Sequence, residues 1–473
     1  MLVAFARTAH TPTMATSLKT DYFIVGAGAM GLAFADTLLS ETDAEMIIVD
    51  RLHAPGGHWT MAYPFVTLHQ PSSFYGVASR ELSRGTVDQS GLNQGLSDLA
   101  TLTEIRAYFD AVMRDTLLAS GRVRYFPHCD YQGQGRFTHR LSGETFVVDH
   151  DVLVDATFLT NSVPANHTPS YTWDEGVRVM PTGELDRLTE TPDGYVVIGG
   201  GKTGIDTVLH LLERGVPPSM IRWVVSRDGW MLAREATQNR PESFTTTIGT
   251  QAAAFQAMAE AGDREDMFDR LEACGYFVRL DPDVRPGMFH APTISQAELE
   301  ALRTLDGIIR KGRVQHITAI EMRLDGGTEA VTPDTVFLDC SATAITNKAV
   351  RPVFKDGMIT LQTVRAYQPT FSASLIAHVE ARGGTDAEKN AVTGVVPLPD
   401  SLDDFVRMQA ANMMNQAIWS QDKELRRWMR VNRLDGFGQL MADADMDDPE
   451  VADIMGRLRR YAVPAAMKLQ SLL

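Results

Sequence analysis

Cysteine is scarce in this chain: three in 473 residues, Cys129, Cys274 and Cys340, with no two close together. That spacing excludes a CxxC redox pair, a thiol-based zinc site and a disulfide scaffold, and it points to a reducing, cytoplasmic setting. Positive charge is also in deficit. Lysine and arginine total 44 against 60 acidic residues, a formal charge of −16. A nucleic-acid binder carries a basic surface, so this balance argues against one. No apolar run is long enough to span a bilayer, and no membrane partner is expected. Residues 1–20 contain Arg7, His10 and Pro12 but no sustained apolar stretch, so they read as a disordered arm and not as a secretory signal. A hydrophobic fraction of 44% is ordinary for a globular protein with two or three domains.

Against this background two stretches stand out. Asp21 to Asp50 and Tyr195 to Arg227 each run apolar strand, glycine-rich turn, amphipathic helix, apolar strand. That is the βαβ order of a parallel sheet, met twice. The fold class expected is α/β, with two Rossmann-like dinucleotide-binding domains and a C-terminal helical extension.

The first turn is Gly26-Ala27-Gly28-Ala29-Met30-Gly31. Gly26 permits the tight turn, Gly28 lets backbone approach a pyrophosphate, and Gly31 lets the helix pack on the strand. Asp50 follows Gly26 by about 24 residues, the position of a carboxylate that binds ribose hydroxyls. Soon after come Gly56, Gly57, His58 and Trp59, a glycine pair followed by a flat apolar ring. The second turn is Gly199-Gly200-Gly201-Lys202-Thr203-Gly204, with Gly215 placed to end its helix. Where an NAD enzyme has an acid at the next strand end, this chain reads Ser226-Arg227. A carboxylate there repels the 2′-phosphate of NADPH, whereas arginine grips it, so NADPH is favoured over NADH. Lys202 is expected to add charge at the same phosphates.

The two turns in order, Asp50 and the Gly56-Gly57-x-Trp59 segment resemble the flavin-containing monooxygenases, with their Baeyer–Villiger and N-hydroxylating relatives, up to about residue 400. The resemblance implies FAD on the first fold, held by Gly26, Gly28, Gly31, Asp50, Arg51, Gly57, His58 and Trp59. It implies NADPH on the second, at Gly199, Gly201, Lys202, Thr203, Gly204, Ser226 and Arg227. By the same resemblance, the Tyr63–Gly76 segment lies along the flavin. Gln70 and Ser72 would then touch the ring, and His69 would serve beside Gln70 as a catalytic proton donor or acceptor. Tyr63, Phe65, Phe74 and Tyr75 read individually as core.

The expected function is an FAD-dependent, NADPH-consuming monooxygenase that passes one oxygen atom of O2 to a small organic substrate through a flavin hydroperoxide. An FxGxxxH signature typical of the group is missing between the two turns, where Ala165 to Gly183 carries Tyr171, Trp173 and Gly176 instead. Two alternatives therefore stay open: an NAD(P)H-dependent flavin oxidoreductase that never oxygenates, and a binding module with structural FAD.

Domain borders follow from two similar strands, Val152–Thr157 and Val336–Thr343. They place the FAD-binding domain at 21–165 and 335–400, and the NAD(P)-binding domain, with a helical insertion, at 166–334. The tail 401–473 is rich in helix formers and is expected to cover a face, lid the site or form a homodimer contact.

Overall fold

The computed structural model describes residues 15–159, 165, 167–343 and 349–473. Its centre is a sheet whose parallel strands lie in the spatial order Met358–Thr360, Thr145–Asp155, Thr16–Val25, Met46–Val49, Val123–Phe126. Strand order reverses beside Thr16–Val25, which opens a crevice at the carboxyl ends of the strands. Side chains alternate along each strand. Ile24 and Ile48 therefore enter a core with Phe34 and Leu38 of the helix Ala29–Glu41 and Phe371 and Leu375 of the helix Pro369–Ala381. Phe23 and Ile47 face the other way, against Phe137 and Phe146.

A second parallel sheet has the order Arg178–Pro181, Thr335–Asp339, Gly194–Ile198, Ile221–Val224, Ile308–Ile309. The helix Lys202–Glu213 packs on it through Ile205, Val208 and Leu209. Gly215 ends that helix at φ +81°, with Val216 N–H donating to Leu211 and Gly215 N–H to Leu212. This is the paired capping that a left-handed glycine allows.

Two borders differ from the sequence reading. The first strand begins at Thr16, so the disordered arm does not extend to residue 20; residues 1–14 lie outside the described ones. Thr16–Thr20 pair in register with Phe146–His150, and ladder hydrogen bonds hold this mostly polar stretch, of which only Thr20 is buried. The strand Thr335–Asp339 belongs to the second sheet, between Gly194–Ile198 and Arg178–Pro181, and the chain returns to the first sheet only at Phe354. Buried parallel strands are uniformly apolar, so composition alone does not say which sheet such a run joins.

The tail consists of the helices Leu402–Gln421, Lys423–Val431, Gly436–Ala442 and Pro449–Ser471. It does not hang off the molecule. Trp419 and Leu425 complete the first core, while Phe405 and Met408 join Trp230, Phe268 and Phe277 in a separate cluster. No helix among the described residues is long and apolar enough to cross a membrane.

Candidate functional site

A cleft of about 1180 Å³ opens at the reversal point of the first sheet. Its floor is the first glycine turn. Gly26 sits at φ +108°, and a β-carbon there would come within 3.2 Å of the Ala156 backbone. A β-carbon on Gly31 would lie 2.1 Å from the Gly26 carbonyl oxygen, so only glycine lets the helix approach this closely. Gly28 faces Gly57 across the floor, and a β-carbon on Gly57 would stand 3.0 Å from the Gly28 α-carbon. These bare backbones form an open cradle at a helix N-terminus, a geometry that could hold a pyrophosphate.

Asp50 lines the cleft and is 7% exposed. Its Oδ2 accepts from Ala27 N–H at 2.6 Å and its Oδ1 from Leu52 N–H at 2.7 Å. Burial raises its pKa, and these two amide bonds act in the opposite sense. A carboxylate has about four acceptor positions, so two stay open to a ribose diol. Arg51, Asp130 and Arg140 stand nearby on the same wall, the last two as an ion pair at 3.2 Å. His58 lines the cleft next to Gly57, and desolvation lowers its pKa to about 4, so it is neutral at physiological pH.

The Tyr63–Gly76 segment is placed differently from the expectation. Only Tyr75 of it lines the cleft; Gln70, His69 and Ser72 do not. Ser72 is fully buried, its hydroxyl donating to the Asp98 carbonyl at 2.8 Å and accepting from Ala100 N–H at 2.7 Å. With its donor and one acceptor position used on backbone, the Ser72 hydroxyl fastens the loop. The His69 carbonyl accepts from the buried Arg234, and desolvation, followed by the charges of Lys202 and Arg234, holds its ring well below the usual histidine range. Trp59 is likewise core, its Nε1 donating to the Tyr75 hydroxyl at 2.8 Å, so it supports the cleft wall from behind.

The segment instead seals the junction between the sheets. Tyr63 donates to Asp206 Oδ2 at 2.6 Å and Phe65 stacks on His210 at 3.9 Å, both partners on the Lys202–Glu213 helix. Asp206 also pairs with Lys202, one turn back, so the lysine's charge is already partly matched.

At the second turn, β-carbons on Gly199 and Gly204 would meet carbonyl oxygens at 2.3 and 2.0 Å, whereas one on Gly201 would meet nothing within 4 Å. Thr203 follows in the first turn of the helix. Ser226 and Arg227 are exposed just beyond the strand Ile221–Val224, and the Arg227 carbonyl lies near Gly200. Cys129 lines the cleft as a protonated thiol; burial pushes it up to about 11 and Cys340 up to about 12. No cluster of metal-binding side chains occurs among the described residues.

Sequence reading missed a whole side of the cleft. His290, Ala291, Thr363, Tyr367, Pro369 and Met408 line it, together with Val396–Pro399. Pro369 had a local signal, since proline at the first helical position marks a helix start.

The chain is 43% identical over 427 residues to proteins of Mycobacterium tuberculosis strain H37Rv (Rv2000) and Mycobacterium bovis (Mb2023), covering 90% of this chain and 79% of each of theirs. It belongs to their family. No protein-family model matches it. Similar solved structures include cyclohexanone-bound cyclohexanone monooxygenase in its Rotated conformation, at 13% identity, TM-score 0.49, 92% of this chain and 98% of that one. A flavin monooxygenase mutant from Stenotrophomonas maltophilia matches at 14% identity, TM-score 0.44, 79% of this chain and 99% of that one. An oxidized steroid monooxygenase bound to NADP matches at 14% identity, TM-score 0.45, 77% of this chain and 85% of that one.

Proposed function

We propose that this protein is an FAD-dependent, NADPH-consuming monooxygenase acting on a small organic substrate. The observation that carries the reading is the pairing of two cradles. One is the cleft floored by Gly26, Gly28 and Gly57 with Asp50 beside it; the other is the Gly199–Gly204 turn, whose next strand ends in Ser226-Arg227 without an acid.

Gly26, Gly28 and Gly57 would hold the FAD pyrophosphate and Asp50 its ribose. Arg227 and Ser226 would receive the 2′-phosphate of NADPH. FAD, when bound, supplies the redox chemistry linking nicotinamide and dioxygen. The protein's own part is to fix the two cofactors in register and to keep water from the reacting atoms. The Tyr63–Asp206–Lys202 contacts serve the first task, and the Val396–Pro399 wall with Met408 serves the second.

The test is spectroscopic. NADPH added without oxygen should bleach the FAD absorbance, and isotopically labelled dioxygen should then place one labelled atom in product from a panel of ketones, sulfides and amines. Bleaching without label incorporation would favour a reductase. No bleaching would leave FAD structural.

A further inference from the structure

The chain carries a formal charge of −16, yet one of its surface helices is basic. Lys423–Val431 reads Lys-Glu-Leu-Arg-Arg-Trp-Met-Arg-Val. Residues three, four and seven apart share a helix face, so Lys423, Arg426, Arg427 and Arg430 form one stripe. All four are exposed. Lys423, Arg426 and Arg427 form no ion pair with any described residue, and Arg430 reaches only Asp443, at 3.8 Å with both side chains largely in water.

The opposite face of this helix is already used. Leu425 is fully buried, and Trp428 and Met429 pack against the first core. Trp428 Nε1 donates to Glu41 at 2.6 Å, and Arg433, just past the helix, donates to the Ser73 and Tyr75 carbonyls at 2.9 Å. The stripe therefore sits on a fixed platform, which spares a partner the cost of ordering it.

Beside the stripe lies charge of the other sign. Asp443–Glu450 holds Asp443, Asp445, Asp447, Asp448 and Glu450, five acids and no cation in eight residues, and all five are exposed. The Arg430–Asp443 pair sets the two patches side by side. Exposed apolar groups accompany them: Val431, 79% exposed at the helix end, and Met441 and Met446 on either side of Asp443 in the chain.

A basic patch beside an acidic one is self-complementary under a two-fold axis, because each sign meets its opposite on the second copy. Other anionic partners fit less well. A nucleic acid or an anionic bilayer drawn to the stripe would be repelled by the adjoining acids, and the helix has no apolar face left to enter lipid. The charge of −16 on each chain opposes association at long range, but at physiological ionic strength exposed charges more than about 8 Å apart are largely screened. The groups in contact then decide.

We propose that this protein associates as a two-fold pair through its tail. The Lys423–Arg430 stripe of one protomer lies against the Asp443–Glu450 segment of its partner, with Val431, Met441 and Met446 filling the space beside them. Exposed ion pairs are individually weak, so the charges set partner and register while the apolar groups add affinity.

The experiment is sedimentation velocity of the purified full-length chain at micromolar concentrations. The parent should sediment as a dimer. R426E/R427E reverses the stripe and D447K/E450K reverses the acidic segment, and each alone should weaken dimerisation about tenfold or more. Mixed together, the two variants should recover parental association, because each reversed patch now meets its opposite. Should either variant fail to fold by circular dichroism, R426Q/R427Q, which only removes charge, should still weaken the dimer. A monomeric parent, variants that dimerise as the parent does, or folded reversal variants that stay apart on mixing would overturn the proposal.

Discussion

His58 gives the sharpest quantitative test of the cleft. Desolvation lowers its pKa to about 4, against an ordinary value of 6.5. The folded protein therefore holds it neutral, while the unfolded chain takes up a proton near pH 6.5. Stability from this group is present in full above pH 6.5 and is lost as the pH falls toward 4. The whole difference is worth about 3 kcal/mol, most of which disappears between roughly pH 6.5 and 4. Urea unfolding of the flavin-free parent and His58→Gln should show the parent losing stability more steeply with acid. The gap between the two curves should change by about that amount. Curves that stay parallel would show that the ring is solvated and that the cleft does not desolvate its wall.

Other substitutions probe the two cradles. Asp50→Asn should weaken FAD retention about tenfold or more, measured by flavin release on dilution, because a charged acceptor for the ribose is lost. Arg227→Ala should raise KM for NADPH by about tenfold or more and leave KM for NADH nearly unchanged; equal effects would mean that it does not read the 2′-phosphate. Gly204→Ala should cost FAD-loaded protein several degrees of Tm, since its β-carbon meets the Gly199 carbonyl oxygen at 2.0 Å. Gly201→Ala, with nothing within 4 Å, should spare Tm and weaken only NADPH binding.

The glycine turns were readable because their signal is local. A tight turn, a close helix and an adjacent apolar strand all lie within a few residues, and Gly26, Gly199 and Gly215 adopt the left-handed backbone that their positions suggested. Lys202 with Asp206 was also within reach, since oppositely charged residues four apart share a helix face. The strand Thr16–Thr20 was not, because it is held by ladder pairing with Phe146–His150 and not by an apolar pattern. The surroundings of Ser72 were hidden for a related reason. A serine among aromatics looks available, and only the folded loop shows that Asp98 and Ala100 occupy its hydroxyl. His290 was invisible for the strongest reason, since its place depends on a bulge against Gly229–Ala233 and on a carboxylate 110 residues away.

The order of strands in the first sheet bears on how the protein is made. Residues leave the ribosome from the N-terminus, and units that are complete can fold first. Every strand of the second sheet lies between Arg178 and Asp339. The first sheet begins at Thr16 but awaits Met358–Thr360, and its covering helix Pro369–Ala381 comes later still. During synthesis, then, the earlier sheet is the later one to close. Phe34 and Leu38 stay without Phe371 and Leu375 until the second unit is whole, and Trp419, Leu425 and Leu434 are added last. A nascent chain halted before Pro369 presents this uncovered apolar face to chaperones.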